Sequence, residues 1–151
     1  IIAAESPVSF PVLCRRITTA WGMARAGARI EERIRSLCSV QGYPATEYQG
    51  LIYYWKKGVD VESYAEFRVT SDAAERRAIE DIAPQEILAA ARSILEAQIS
   101  LTEADLAKEI ARIFGYVRVV ESTSGKICDV LRYGVRTKRL CLQDNGRYVL
   151  L

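Results

Sequence analysis

The sequence predicts a mainly α fold with small β-hairpins, in which one small unit is used twice. Three observations predict it. An aromatic residue, a glycine and, three residues on, an arginine occur as Trp21-Gly22…Arg25 and again as Phe114-Gly115…Arg118, 93 positions apart. Before and after both, apolar residues recur at helical spacing behind capping residues. After the last helical pattern of each copy come two alternating stretches about a turn, "YPATEYQGLIYYW" and "RTKRLCLQDNGRYVLL".

Sliding the chain on itself by 93 positions pairs Ile1 with Ile94, Leu13 with Leu106, Ile17 with Ile110, Gly22 with Gly115 and Ile34 with Ile127. The identities fall on apolar and turn positions, as a diverged repeat requires. Each copy then reads in order. Pro84 opens "PQEILAAARSILEAQ", and Ile87, Leu88, Ala91, Ile94 and Leu95 give it one apolar face. A short extended piece, "ISL", leads to Thr102, the cap of "TEADLAKEIARIFG"; Ser9 is its counterpart in the first copy. Gly22 and Gly115 stop these helices because a left-handed C-cap strains any residue with a Cβ. Trp21, Gly22, Phe114 and Gly115 are therefore structural, the two aromatics as equivalent core anchors.

The third helix spans residues 26–41 in the first copy, with Ile30, Ile34 and Leu37 inward and Arg25, Arg29, Glu32, Arg35 and Ser36 outward. The second copy carries a shorter version over residues 122–134. Asn145-Gly146 then marks a two-residue hairpin. Helix, strand, helix, turn, helix, hairpin is the order of a winged helix, a helix-turn-helix relative whose hairpin is the wing. The expected division is a winged-helix-like unit at 1–58, a linker with an acidic helix at 59–83, and a second winged-helix-like unit at 84–151. Ile1 aligns with the end of the second copy's first helix, so the first copy's own first helix is truncated, as in a fragment of a longer protein.

Composition narrows the function. Half of the residues are hydrophobic and 26% are charged, a globular balance. No apolar run approaches the roughly 18 residues of a membrane span, and "IIAA" is no signal peptide. A cytoplasmic chain without membrane contact is expected, with Cys14, Cys38, Cys128 and Cys141 as reduced thiols. With no histidine and no C-x-x-C pair, no zinc site of the usual spacing is expected, and no Ser-His-Asp or Cys-His arrangement can be assembled. No catalytic residue, metal or cofactor is assigned, and the fragment itself reads as no enzyme.

The net charge of +2 is unevenly spread: residues 71–110 hold 4 basic against 9 acidic side chains, and residues 111–151 hold 8 against 3. Nucleic-acid-binding candidates follow from that distribution. Arg25, Arg29 and Arg35 suit phosphates or base edges if the third helix is a recognition helix. The same face suits a solvated helix with Glu31 and Glu32 paired to Arg35, and Arg33 flanks the core stripe and can snorkel. Arg132, Arg136, Lys138, Arg139 and Arg147 form a basic tail that a wing could set against a groove, or an ordinary charged hairpin. Tyr43, Tyr48, Tyr53, Tyr54 and Trp55 are better read as strand packing than as base-stacking residues.

The run from "AESPV" through "LCRRITTAWGMARAGARIEERI", above all Trp21-Gly22, Arg25, Gly27, Arg29-Ile30 and Ile34, resembles a bacterial domain of uncharacterised function. That domain lies near the C-terminal end of large superfamily I helicase-like proteins, which also carry a nuclease domain resembling the very-short-patch-repair endonucleases. The resemblance covers about the first 60 residues. It implies a place in DNA restriction or repair, with a parent protein that is an ATP-dependent helicase or nuclease, and it transfers no catalytic residue. Two functions follow: a non-catalytic accessory module that contacts DNA, or a module that packs on proteins or on other domains of the same larger protein without touching nucleic acid.

Overall fold

All 151 residues are described by the computed structural model, as two units. The first is Ile1–Val61 with Asp81–Ala83. It starts with one helical turn, α1 (Ile2–Glu5), and a short strand, β1 (Val8–Ser9). Ser9 starts α2 (Phe10–Ala20): its hydroxyl accepts from the Val12 N–H at 3.4 Å and donates to Asp81 at 2.6 Å. At the other end the N–H of Gly22 bonds the Thr19 carbonyl and that of Met23 bonds Thr18, with Gly22 at φ +72°. This paired closure needs a residue in the left-handed region, which glycine enters without strain.

Helix α3 (Ala28–Val40) follows, then the hairpin β2 (Ala45–Tyr48) and β3 (Leu51–Tyr54), turned by Gln49 and Gly50, both at positive φ. The sheet order is β1-β3-β2, all antiparallel, with Val8 opposite Tyr54. The core joins Phe10, Leu13 and Cys14 of α2 to Ile34 and Cys38 of α3, with Ile2, Val8 and Tyr54. Tyr53, Tyr54 and Trp55 are buried, and the Trp55 indole N–H donates to Thr46. These aromatics of the hairpin are thus used in packing.

The second unit is Glu62–Glu80 with Pro84–Leu151. Its helices are α4 (Pro84–Gln98), α5 (Glu103–Ile113) and α6 (Glu121–Arg136), with β4 (Leu101–Thr102) between the first two. Thr102 caps α5 through the Asp105 N–H, and Gly115 closes it at φ +91°. The strands β5 (Leu140–Leu142) and β6 (Arg147–Leu150) complete a sheet of order β4-β6-β5, with Leu101 opposite Tyr148. Positions 93 apart match along the helices: α1 corresponds to the last four residues of α4, and α2 to α5 end to end. Tyr54 and Tyr148, the partners of Val8 and Leu101, are both buried.

Four expectations are corrected. Helix α6 is longer than α3, 16 residues against 13, because it runs through Gly125 and Gly134. At Gly134 a Cβ would lie 2.5 Å from the Leu88 side chain, so the glycine is there for close helix packing. The Asn145-Gly146 connection is not a two-residue turn. The Gly146 N–H bonds the Gln143 carbonyl and only Gly146 of the pair has positive φ, a type I turn followed by a left-handed glycine.

The stretch 59–83 holds no continuous acidic helix. It has two 3₁₀ turns, Ala73–Glu75 and Ile79–Asp81, and most of it belongs to the second unit. Its polar groups are engaged by the rest of that unit instead. The Thr70 N–H donates to the Ile113 carbonyl, the Tyr116 hydroxyl donates to the Arg77 carbonyl, and Arg68 and Arg77 reach Glu86 in α4. Tertiary partners override helical composition here. The fourth correction is Trp21. Phe114 is fully buried, but Trp21 is 61% exposed and anchors nothing. No helix is long and apolar enough to cross a membrane.

Candidate nucleic-acid interface

The turn before α3 and its first two helical turns present Arg25, Arg29 and Arg33, all exposed. Arg29 and Arg33 stand one turn apart, so their charges repel, and such i,i+4 pairs weaken a helix by a few tenths of a kcal/mol. Neither Glu31 nor Glu32 relieves them: the ion pairs of this unit are Arg16 with Glu5 and Arg15 with Asp81. Arg29, Arg33, Glu32 and Ser36 border a shallow hollow of about 550 Å³ whose remaining walls are Trp21 and Ile30. Arg35 is placed differently. Its guanidinium lies 4.4 Å from the centre of the Phe10 ring, where cation and ring attract and the group is held on the core's edge.

The basic tail is mostly spoken for. Arg132 pairs with Glu103 at 2.7 Å and with Asp129 at 3.7 Å. Arg139, with a side chain only 16% exposed, pairs with Glu62 at 2.8 Å. Arg147 donates through Nε to the Ser100 hydroxyl and through Nη2 to the Ser100 carbonyl, fastening β6 to the loop before β4. Arg136 and Lys138 alone of the five point to solvent without a partner. Arg136 sits in the last turn of α6, where its charge complements the helix dipole. Lys138 has φ +60°, in the position after the helix cap that Gly22, Gly42 and Gly115 fill behind α2, α3 and α5.

Around Glu103 burial raises the carboxyl's proton affinity, but hydrogen bonds from Tyr148 and Arg132 outweigh it and hold the group below the usual carboxylate range. Burial and the same bond push the Tyr148 hydroxyl well up, so it stays a donor. These groups tie α5, α6 and β6 together, a structural arrangement. Burial likewise raises the Cys14, Cys38 and Cys128 thiols, and all four cysteines are free. No group of side chains is arranged to hold a metal ion.

The sequence groups Arg25 and Arg29 with Arg35; in the structure Arg33 is the exposed arginine one turn from Arg29, and Arg35 lies over the Phe10 ring. The signal was available: Arg29 and Arg33 are i,i+4, whereas Arg35 is six residues on, on the flank toward α2. In the second unit the positions of Arg25, Arg29 and Arg33 are Arg118, Ser122 and Lys126, and Lys126 is paired with Glu80 at 3.0 Å. The unpaired basic helix belongs to the first unit alone. A family model described as a protein of unknown function (DUF3320) matches residues 1–32, from α1 into the first turns of α3. No curated protein and no solved structure matches the chain.

Proposed function

We propose that this chain is a non-catalytic DNA-contacting module whose first unit meets the phosphate backbone through Arg25, Arg29 and Arg33. One observation carries the reading: three exposed cations on one helix and the turn before it, two of them mutually repelling, with no carboxylate paired to any. A polyanion would relieve that repulsion and release its own counterions. The element order and the sheet order β1-β3-β2 support a winged-helix-like reading of each unit. In that reading α3 is the recognition helix, and Arg136 and Lys138 supply a secondary contact. Membership of a larger bacterial helicase- or nuclease-type protein rests on the resemblance of the first 60 residues.

The test is fluorescence anisotropy with labelled single-stranded, duplex and forked DNA. Combined Arg25→Glu, Arg29→Glu and Arg33→Glu should abolish binding with the fold intact by circular dichroism. Arg136→Glu with Lys138→Glu should weaken it by a lesser factor. Unchanged affinity in the first variant overturns the assignment to α3.

A further inference from the structure

Trp21 is 61% exposed, although tryptophan is a side chain that proteins mostly bury. Its neighbours give that exposure a use. The indole is one wall of the hollow of about 550 Å³ on α3, whose rim carries Arg29, Glu32, Arg33 and Ser36, with Ile30 as the second apolar residue. Arg29 and Arg33 are both exposed, and neither has a carboxylate partner.

The second unit repeats the scaffold without these groups. Phe114 stands where Trp21 does and is fully buried. Ser122, Gly125 and Asp129 take the places of Arg29, Glu32 and Ser36. Lys126, in the place of Arg33, is tied to Glu80 at 3.0 Å. An open indole between unpaired cations is therefore a property of the first unit alone, and it is not required by the fold.

Each group on the rim suits one part of a nucleotide. The indole offers a π face on which any base can stack. Arg29 and Arg33, one helical turn apart, suit the phosphates on either side of that base. Glu32 repels a phosphate but accepts a hydrogen bond from the amino group of a base, and the Ser36 hydroxyl can donate or accept. A carboxylate on the rim thus favours a base in the hollow, with its phosphates outside, over a phosphate in the hollow. Within a duplex the faces of the bases are stacked on one another and closed to an indole. An unpaired base, in a single strand or at a fork, presents its face.

Resting on the DNA-contacting role proposed for the same arginines, we propose that Trp21 is a stacking platform for an unpaired base. Arg29 and Arg33 hold the flanking phosphates, so the first unit takes single-stranded or forked DNA in preference to duplex. Duplex engages the arginines alone, and the stack is added only where a base is free.

The experiment titrates the chain with oligo(dC) and with a duplex of the same length, reading anisotropy and tryptophan emission together. Trp55, the only other tryptophan, is fully buried, so emission changes report Trp21. The single strand should quench Trp21 and close it to acrylamide, and the duplex should leave it emitting and open. Trp21→Ala should weaken single-strand binding roughly 5- to 150-fold, the range of one stacked base, and leave duplex affinity unchanged. Trp21→Phe, which keeps a π face, should retain most of the preference. Equal losses on single strand and duplex overturn the platform, and so does single-strand binding with Trp21 still emitting and open; the phosphate contacts of the arginines survive either result. A DNA-free chain that is a dimer with Trp21 already shielded also overturns it, because a second copy then covers the indole. A chain that binds no DNA overturns the platform and the DNA-contacting role together. If Trp21→Ala does not fold, the quenching of the wild type decides.

Discussion

Replacing Glu86 by glutamine should destabilise the second unit more than any surface change in the chain. Glu86 lies in the first turn of α4 and is fully buried. Its carboxylate accepts five hydrogen bonds: two from Arg77 at 2.9 and 2.8 Å, two from the Arg68 guanidinium at 3.0 and 2.9 Å, and one from the Arg68 backbone N–H at 3.0 Å. Burial alone would raise the carboxyl, but the bonds and charges of Arg77 and Arg68 overcome it and hold the group below its usual range. Removing one partner of a buried ion pair costs about 3–5 kcal/mol, because the remaining charge is left without compensation.

The Arg68 side chain is 38% exposed and that of Arg77 22%, so both can recover some hydration, and the expected loss for Glu86→Gln sits near the lower end, about 3 kcal/mol. Urea unfolding at neutral pH measures it. The pH dependence has a definite sign. A depressed folded-state carboxyl contributes stability that is fully present above the unfolded carboxylate range and is lost as pH falls through the folded value. The gap between wild type and Glu86→Gln should therefore close in acid. A loss under about 0.5 kcal/mol at neutral pH, the scale of an ordinary surface substitution, or a gap that widens in acid, refutes the reasoning.

Three further outcomes follow from backbone geometry. Gly22→Ala meets open space and pays only for the left-handed conformation, about 1 kcal/mol, whereas Gly115→Ala also drives its Cβ to 3.1 Å from Thr70 and should cost more; thermal melts of the pair separate them. Ile99, with φ +66° and 80% exposed, holds a β-branched residue in that same region with no burial to offset it, so Ile99→Gly should stabilise by up to about 1 kcal/mol in urea unfolding. Gly134→Ala forces Leu88 and Leu140 apart and should cost about 1–3 kcal/mol, read by the same unfolding curve.

The helices, caps and glycine stops were legible because each is written within one stretch of chain: Ser9 and Thr102 three residues before the N–H they cap, Gly22 and Gly115 after an apolar run. Trp21 was misread for an instructive reason. Periodicity says which side of a helix is apolar, but not whether another element lies against it, and in the first unit Trp21 is left 61% exposed. Residues 59–83 were misread because Arg68 and Arg77 answer to Glu86, 18 and nine residues on, at spacings that no helical pattern announces. The basic tail looked like a single patch for the same reason. Which of its arginines are spent on Glu103, Glu62 and Ser100 is settled only when strands and helices are brought together.

The measurement that bears most directly on the DNA-contacting role is the salt dependence of duplex binding, in wild type and in the Arg25→Glu, Arg29→Glu, Arg33→Glu variant. The three first-unit phosphate contacts alone predict a slope of log affinity against log salt of roughly −3, at about −0.9 per contact, and the secondary contacts of Arg136 and Lys138 make it steeper. The variant should have no measurable slope because it no longer binds. A wild-type chain without DNA affinity at low salt, or with an affinity that salt leaves unchanged, would contradict the account.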